Sequence, residues 1–276
     1  MALSALLLLA WLAPDRAKAA GLDCAKAATA VEKTICADPA LRAGDAAMAE
    51  TFADLLGAVP EADKPAVRAQ QREWLASRNA CSDATCLAAR QAERLAALQA
   101  AMAATRQRYL DARAKLRARL GWPPSCEAAY QEMVSPEGMG ATVRSTGVDA
   151  YALSGGRTLY VVQCDQAAYQ ATYTAVLTEQ PDGPGMPLRF PALADSAAPS
   201  PPVPQDELVG DVSFDAAKGT LTVLTKARGL ADCGSLAVYA FPSGARVSLA
   251  EMRVRECPRQ PKGYVPPERW PLLRSR

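Results

Sequence analysis

A chain of 276 residues with 31 basic and 29 acidic side chains and a net charge of +2 has neither the positive excess that nucleic-acid binding needs nor a strongly acidic surface. It contains no histidine, which removes the commonest general base and the commonest zinc ligand and excludes Ser-His, Cys-His and His-metal mechanisms. Binding rather than catalysis is the default expectation, and no catalytic, cofactor-binding or metal-binding residue is assigned.

The chain opens with an apolar run, Ala2 to Ala13, centred on Leu6 to Leu9. It is long enough for a signal-peptide core and short of the roughly 20 residues of a spanning helix. Pro14 ends it, and Ala17-Lys18-Ala19 places small residues where a signal peptidase reads. This predicts a Sec-type signal peptide over residues 1–19, cleavage before Ala20, and a periplasmic or secreted protein with no transmembrane segment after processing. Behind such a leader, eight cysteines read as a disulfide framework.

From Ala20 to Leu120 the sequence is rich in Ala, Leu and Arg; after Gly121 it fills with Gly, Pro, Val, Thr and Tyr. That is a shift from helix formers to strand formers, with Gly121-Trp122-Pro123-Pro124 as the seam. The fold class predicted is α+β in two domains: residues 20–120 a disulfide-bonded helical hairpin or bundle with a long last helix, residues 121–276 an antiparallel β meander or small barrel.

In the helical half, a short helix is expected from roughly Ala27 to Ile35. Asp38-Pro39 then starts a second, aspartate capping free amides and proline fitting the first turn, with Leu41, Met48, Phe52, Leu55 and Leu56 at helical spacing up to Gly57 and Pro60. Val67, Trp74 and Leu75 mark a third helix ending near Asn79, and Ser82 or Asp83 caps a fourth. Along it Leu95, Met102, Tyr109 and Leu116 fall seven residues apart, a stripe on one edge. Its end is basic: Arg106, Arg108, Arg113, Lys115, Arg117 and Arg119 stand against one acid, Asp111. Such a run reads as a solvated face complementing the helix dipole, or as a contact for an anionic partner, in which case Arg113, Arg117 and Arg119 are the binding candidates.

About ten helical residues between Cys24 and Cys36 would rise some 15 Å, beyond the roughly 7 Å a disulfide tolerates. Pairing of Cys36 with Cys81, across an antiparallel hairpin, and of Cys24 with Cys86 is therefore expected; a local Cys81 to Cys86 loop is the competing arrangement.

Asp23-Cys24-Ala25-Lys26-Ala27, Val31-Glu32-Lys33-Thr34-Ile35-Cys36, Asp38-Pro39 with Leu41 and Asp45, and Gln71-Arg72 with Trp74-Leu75, Arg78, Cys81 and Cys86 resemble the LprI-type lysozyme-inhibitor N-terminal domain over residues 23–98. The resemblance implies a small, extracytoplasmic, bacterial helical domain, and in one branch inhibition of lysozyme. Trp74 reads as core; Arg78 reads as a bridge to Asp38 or Asp45, or else, with Arg72, as a guanidinium aimed at the paired catalytic acids of a muramidase.

After the seam, Arg157 to Cys164, Tyr169 to Glu179, Leu208 to Phe214, Thr220 to Thr225, Ser235 to Phe241 and Arg246 to Val254 are β-prone runs separated by turn residues. Ala192 to Glu207, rich in proline and small residues, reads as an exposed loop. A hairpin turning at Pro242-Ser243-Gly244 brings Cys233 to Cys257, leaving Cys126 for Cys164. Cys164-Asp165-Gln166-Ala167-Ala168-Tyr169, Arg228-Gly229-Leu230-Ala231-Asp232-Cys233-Gly234, and Cys257 with Trp270-Pro271 resemble a bacterial secreted family of unknown function over residues 123–274. In that family the first run often ends Gly-Ala-Tyr-Asn, where this chain has Ala167-Ala168-Tyr169-Gln170.

The expectation is an envelope binding protein that inhibits a lysozyme-like muramidase through its helical domain. The alternative is a non-inhibitory accessory module binding envelope glycan or protein. Hydrolysis by Asp232, Glu251 and Glu256 lacks a diagnostic spacing, and zinc at Cys81 and Cys86 lacks a second pair. No cofactor is expected.

Overall fold

The computed structural model describes residues 21–135, 143–193, 202–243, 246–257 and 264–273; the leader, its cleavage point before Ala20, and Gly244 of the expected hairpin turn lie outside them. Packing divides the chain into two compact units between Thr105 and Arg106.

In the first unit, α1 (Ala30–Ala37) begins at a reciprocal cap: the Thr29 hydroxyl accepts from the Glu32 amide, and the Glu32 carboxylate accepts from the Ala28 and Thr29 amides at 2.8 and 2.9 Å. These bonds hold the exposed Glu32 carboxyl below its ordinary range. Asp38 caps α2 (Pro39–Ala58), accepting from the Ala40 and Leu41 amides. After α3 (Lys64–Asn79), Asp83 accepts from the Cys86 amide at 2.8 Å in the first turn of α4 (Ala84–Leu120). Met48, Leu55, Val59 and Leu98 form one core with Trp74 packed against it; Ile35, Leu41 and Leu87 form another. The expected stripe on α4 is only half-buried at Leu95 and Met102. The fully buried line runs through Leu87, Gln91, Arg94, Leu98 and Thr105. Two of its polar members are bonded inside: Gln91 donates to the Leu41 carbonyl at 3.1 Å, and Arg94 Nε to the Gln71 side chain at 2.9 Å.

The disulfides of this unit differ from the expected pairs. Cys24 is bridged to Cys36 and Cys81 to Cys86, with Cα separations of 5.6 and 5.5 Å. The rise argument failed because the chain from Cys24 is not continuously helical: a 3₁₀ turn (Cys24–Lys26) is followed by an extended Ala27, and α1 begins only at Ala30. The chain thus doubles back, and the local Cys81 to Cys86 loop held as the alternative is the one formed.

In the second unit Gly121, at φ +70°, ends α4, its amide bonding to the Arg117 carbonyl. The prolines behind it do not simply break structure. Pro124 opens a further helix, α5 (Pro124–Met133), because proline fits a first helical turn whose amides are unpaired in any case. The strands are β1 (Val148–Ala152), β2 (Thr158–Gln166), β3 (Ala171–Thr178), β4 (Met186–Pro187), β5 (Phe190–Ala192), β6 (Val203–Gln205), β7 (Leu208–Asp215), β8 (Thr220–Lys226), β9 (Gly234–Ala240) and β10 (Ser248–Arg255). They form an antiparallel sheet in the order β1-β2-β3-β7-β8-β9-β10, with β4 added beside β3 and β5–β6 as a separate ribbon. The result is a meander and not a closed barrel. Part of the proline-rich stretch read as a loop is thus strand: Phe190 pairs with Gln205 and Ala192 with Val203.

Both faces of β2 are covered, which explains its continuous apolar run. Leu159 and Val161 join Ala175, Phe190, Leu208, Leu221 and Tyr239 in the main core, while Tyr160 and Val162 pack with Leu120, Trp122 and Cys126. Cys126 is bridged to Cys164 and Cys233 to Cys257. Beyond Tyr264 the chain returns along β10: the Val254 amide bonds to the Pro271 carbonyl and the Leu273 amide to the Met252 carbonyl. Trp270 is buried there, its indole donating to the Val265 carbonyl at 2.9 Å.

Candidate functional site

The arginines singled out from sequence divide into structural and exposed groups. Arg78 is buried against Asp45 at 3.3 Å and lies over the Trp74 ring, while Asp45 also accepts the Leu22 amide. It is the bridge to Asp45, with Asp38 committed to its cap. Arg113 is wholly buried, so the reading of it as a surface contact is corrected. Its guanidinium donates to Glu127 at 2.9 Å and to the Thr146 and Gln163 carbonyls at 3.0 Å each, and it stacks 3.5 Å from the Tyr130 ring centre. The cause is its place on the helix: Tyr109, Arg113, Leu116 and Leu120 share the inward face of α4. Burial lowers the Arg113 pKa, partly offset by Glu127. Burial also pushes Glu127 upward, but hydrogen bonds from Gln131, Trp122 and Arg113 outweigh it and hold that carboxyl below its ordinary range.

Arg119 is half-buried and pinned, donating to the Pro181 carbonyl and the Tyr160 hydroxyl at 3.1 Å each. Arg117 is half-buried and Arg72, on α3, is exposed. Of the acids weighed for hydrolysis, Asp232 is clamped by Arg228 and Glu251 by Arg253. All eight cysteines are bridged, leaving no thiolate for zinc.

Sequence reasoning missed a cleft among the described residues of the second unit. β3 neighbours β7 only from Ala171↔Gly210 to Tyr173↔Leu208; farther along, at Val176 and Leu177, its partner is β4. At this split lies a cleft of 540 Å³, within the range of about 300–1,000 Å³ usual for small-molecule sites. One wall is the start of α5, with Pro123, Ser125 and the Cys126 bridge; the other is Gln205, Asp206, Glu207 and Val209. The Thr174 hydroxyl, also in the lining, donates to the Asp206 carbonyl at 3.2 Å and tethers the wall where strand pairing stops. Arg189 holds one Asp206 oxygen at 2.7 Å. The Gln205 side chain bonds to Tyr239, whose phenol is pushed up to about 12 by burial. Glu207 is exposed and has no ion pair or hydrogen bond among the described residues. The only hint in the sequence was the acid pair Asp206-Glu207 closing a proline-rich stretch.

A family model described as a protein of unknown function (DUF1176) matches residues 25–273. The chain belongs to this family. The DUF1176 match runs through both units, and no curated protein and no solved structure matches the chain. Two runs singled out in the sequence of this DUF1176 member meet at one end of its sheet. Ala167 and Gln170 close a tight turn that leaves Tyr169 exposed, and Gln170 accepts the Lys226 amide at 2.9 Å, so glutamine serves in the turn. Gly229 lies against the Tyr169 ring, and the Arg228–Asp232 pair closes a loop in which Leu230 is exposed and Ala231 takes φ +52°.

Proposed function

We propose that this DUF1176 chain is an extracytoplasmic binding protein of the bacterial cell envelope, a non-inhibitory module that holds a small polar envelope component in the cleft at the β3–β7 split. Four disulfides support an oxidising compartment. The cleft itself carries the reading: one wall tied down by the Cys126–Cys164 bridge and the other by the Thr174 and Arg189 bonds to Asp206 supply a preformed site, which lowers the ordering cost of binding. Purified protein mixed with a small-molecule extract of cell envelopes will retain a ligand detectable by native mass spectrometry. Val209→Trp, which places an indole in the opening, will retain none while melting at the same temperature. Equal retention by the two proteins would rule the cleft out.

A second reading keeps the LprI-type resemblance: the helical unit inhibits a muramidase. Its support is Arg72, which stands exposed on α3 in a unit stiffened by two disulfides, whereas Arg78 is occupied by Asp45. On this reading, excess protein slows lysozyme-driven clearing of a cell suspension and Arg72→Ala removes the effect. Full lysozyme activity in the presence of excess wild-type protein would end it.

A further inference from the structure

We propose that the cleft selects a saccharide bearing a free primary amine, an inference that rests on the cleft being the ligand site. The charge of its wall is one-sided. Arg189 already answers Asp206, whereas Glu207 has no cation of its own among the described residues, and no basic side chain belongs to the lining. A ligand that brings an ammonium group gains at Glu207, whereas an anionic ligand is repelled by that unanswered carboxylate.

The remaining groups suit hydroxyls. Ser125 and the second oxygen of Asp206 can bond to hydroxyl groups, and a carboxylate can hold two neighbouring hydroxyls at once. Pro123 and Val209 offer small apolar surfaces to the C–H face of a sugar ring. A linear polyamine would bring no hydroxyls to Ser125 and Asp206.

The full chain is titrated by calorimetry at low ionic strength with glucosamine, N-acetylglucosamine and glucose. Glucosamine is expected to bind at least tenfold tighter than the other two, with the advantage shrinking as salt screens the charge. Glu207→Gln should erase that preference while leaving the melting temperature unchanged. Equal affinity for the three sugars, no binding of glucosamine, or an undiminished preference in Glu207→Gln overturns the proposal. If glucosamine fails while envelope extract still loads the wild type and not Val209→Trp, the cleft reading stands and only the amine preference falls. If neither loads, both fall.

Discussion

Replacing Arg113 by methionine will cost the second unit about 3–5 kcal/mol, the usual penalty for removing one partner of a buried ion pair. Methionine fills much of the arginine stem's space, so the loss comes chiefly from what is left behind: a largely buried Glu127 carboxylate with no counter-charge, and the Thr146 and Gln163 carbonyls without their donor. Denaturant unfolding at neutral pH, followed by a signal from the second unit, measures it. The pH dependence gives a second check. In the wild type Glu127 sits below its ordinary value of 4.5, so its contribution is present above that value and is lost as pH falls through the folded-state pKa. In the variant, burial without the arginine will push Glu127 up, and acid will relieve the stranded charge. The gap between the two proteins should therefore narrow as pH drops below about 5. A constant gap would mean that Glu127 finds another partner.

Removing the Cys126–Cys164 bridge by a double alanine substitution should be comparably severe. Its sequence separation is 38, against 5 for Cys81–Cys86, and chain entropy alone then assigns about 4 kcal/mol to the first and about 2 kcal/mol to the second. The native state widens the difference. Cys126 and Cys164 are buried among Trp122, Val162 and Val176, tying α5 to β2, whereas Cys81 and Cys86 are both partly exposed. Thermal melts of the two double variants should show the larger drop for Cys126→Ala/Cys164→Ala. The reverse order would place the main stabilising role in the helical unit.

The β unit was largely legible because its strands are β-prone runs, alternating in β8 and continuously apolar in β2, between clear turn signals: all six runs read from the sequence are strands. Helix α2 was equally plain from Asp38-Pro39. What was hidden depends on context. Prolines at residues 123 and 124 signal a break and a helix start alike, so α5 was missed. The Cys24 to Cys36 pairing turned on where α1 begins, and three residues of non-helical chain reversed the conclusion. Arg113 was read as one member of a basic run, although its register with Tyr109, Leu116 and Leu120 already placed it on the inward face. The cleft was least legible, since a split between strands β3 and β7 is a property of pairing across more than thirty residues and leaves no local mark.

The return of residues 264–273 along β10 also bears on self-association. An edge strand presents free amides and carbonyls that template pairing with another chain, and here Pro271 to Leu273 supplies partners at Met252 and Val254 from within the same molecule. Arg253 reinforces the cover by donating to the Trp270 carbonyl at 2.9 Å. A chain cut after Cys257 would keep its four disulfides and lose this guard, leaving a rigid, oxidised sheet free to add a neighbour along its side.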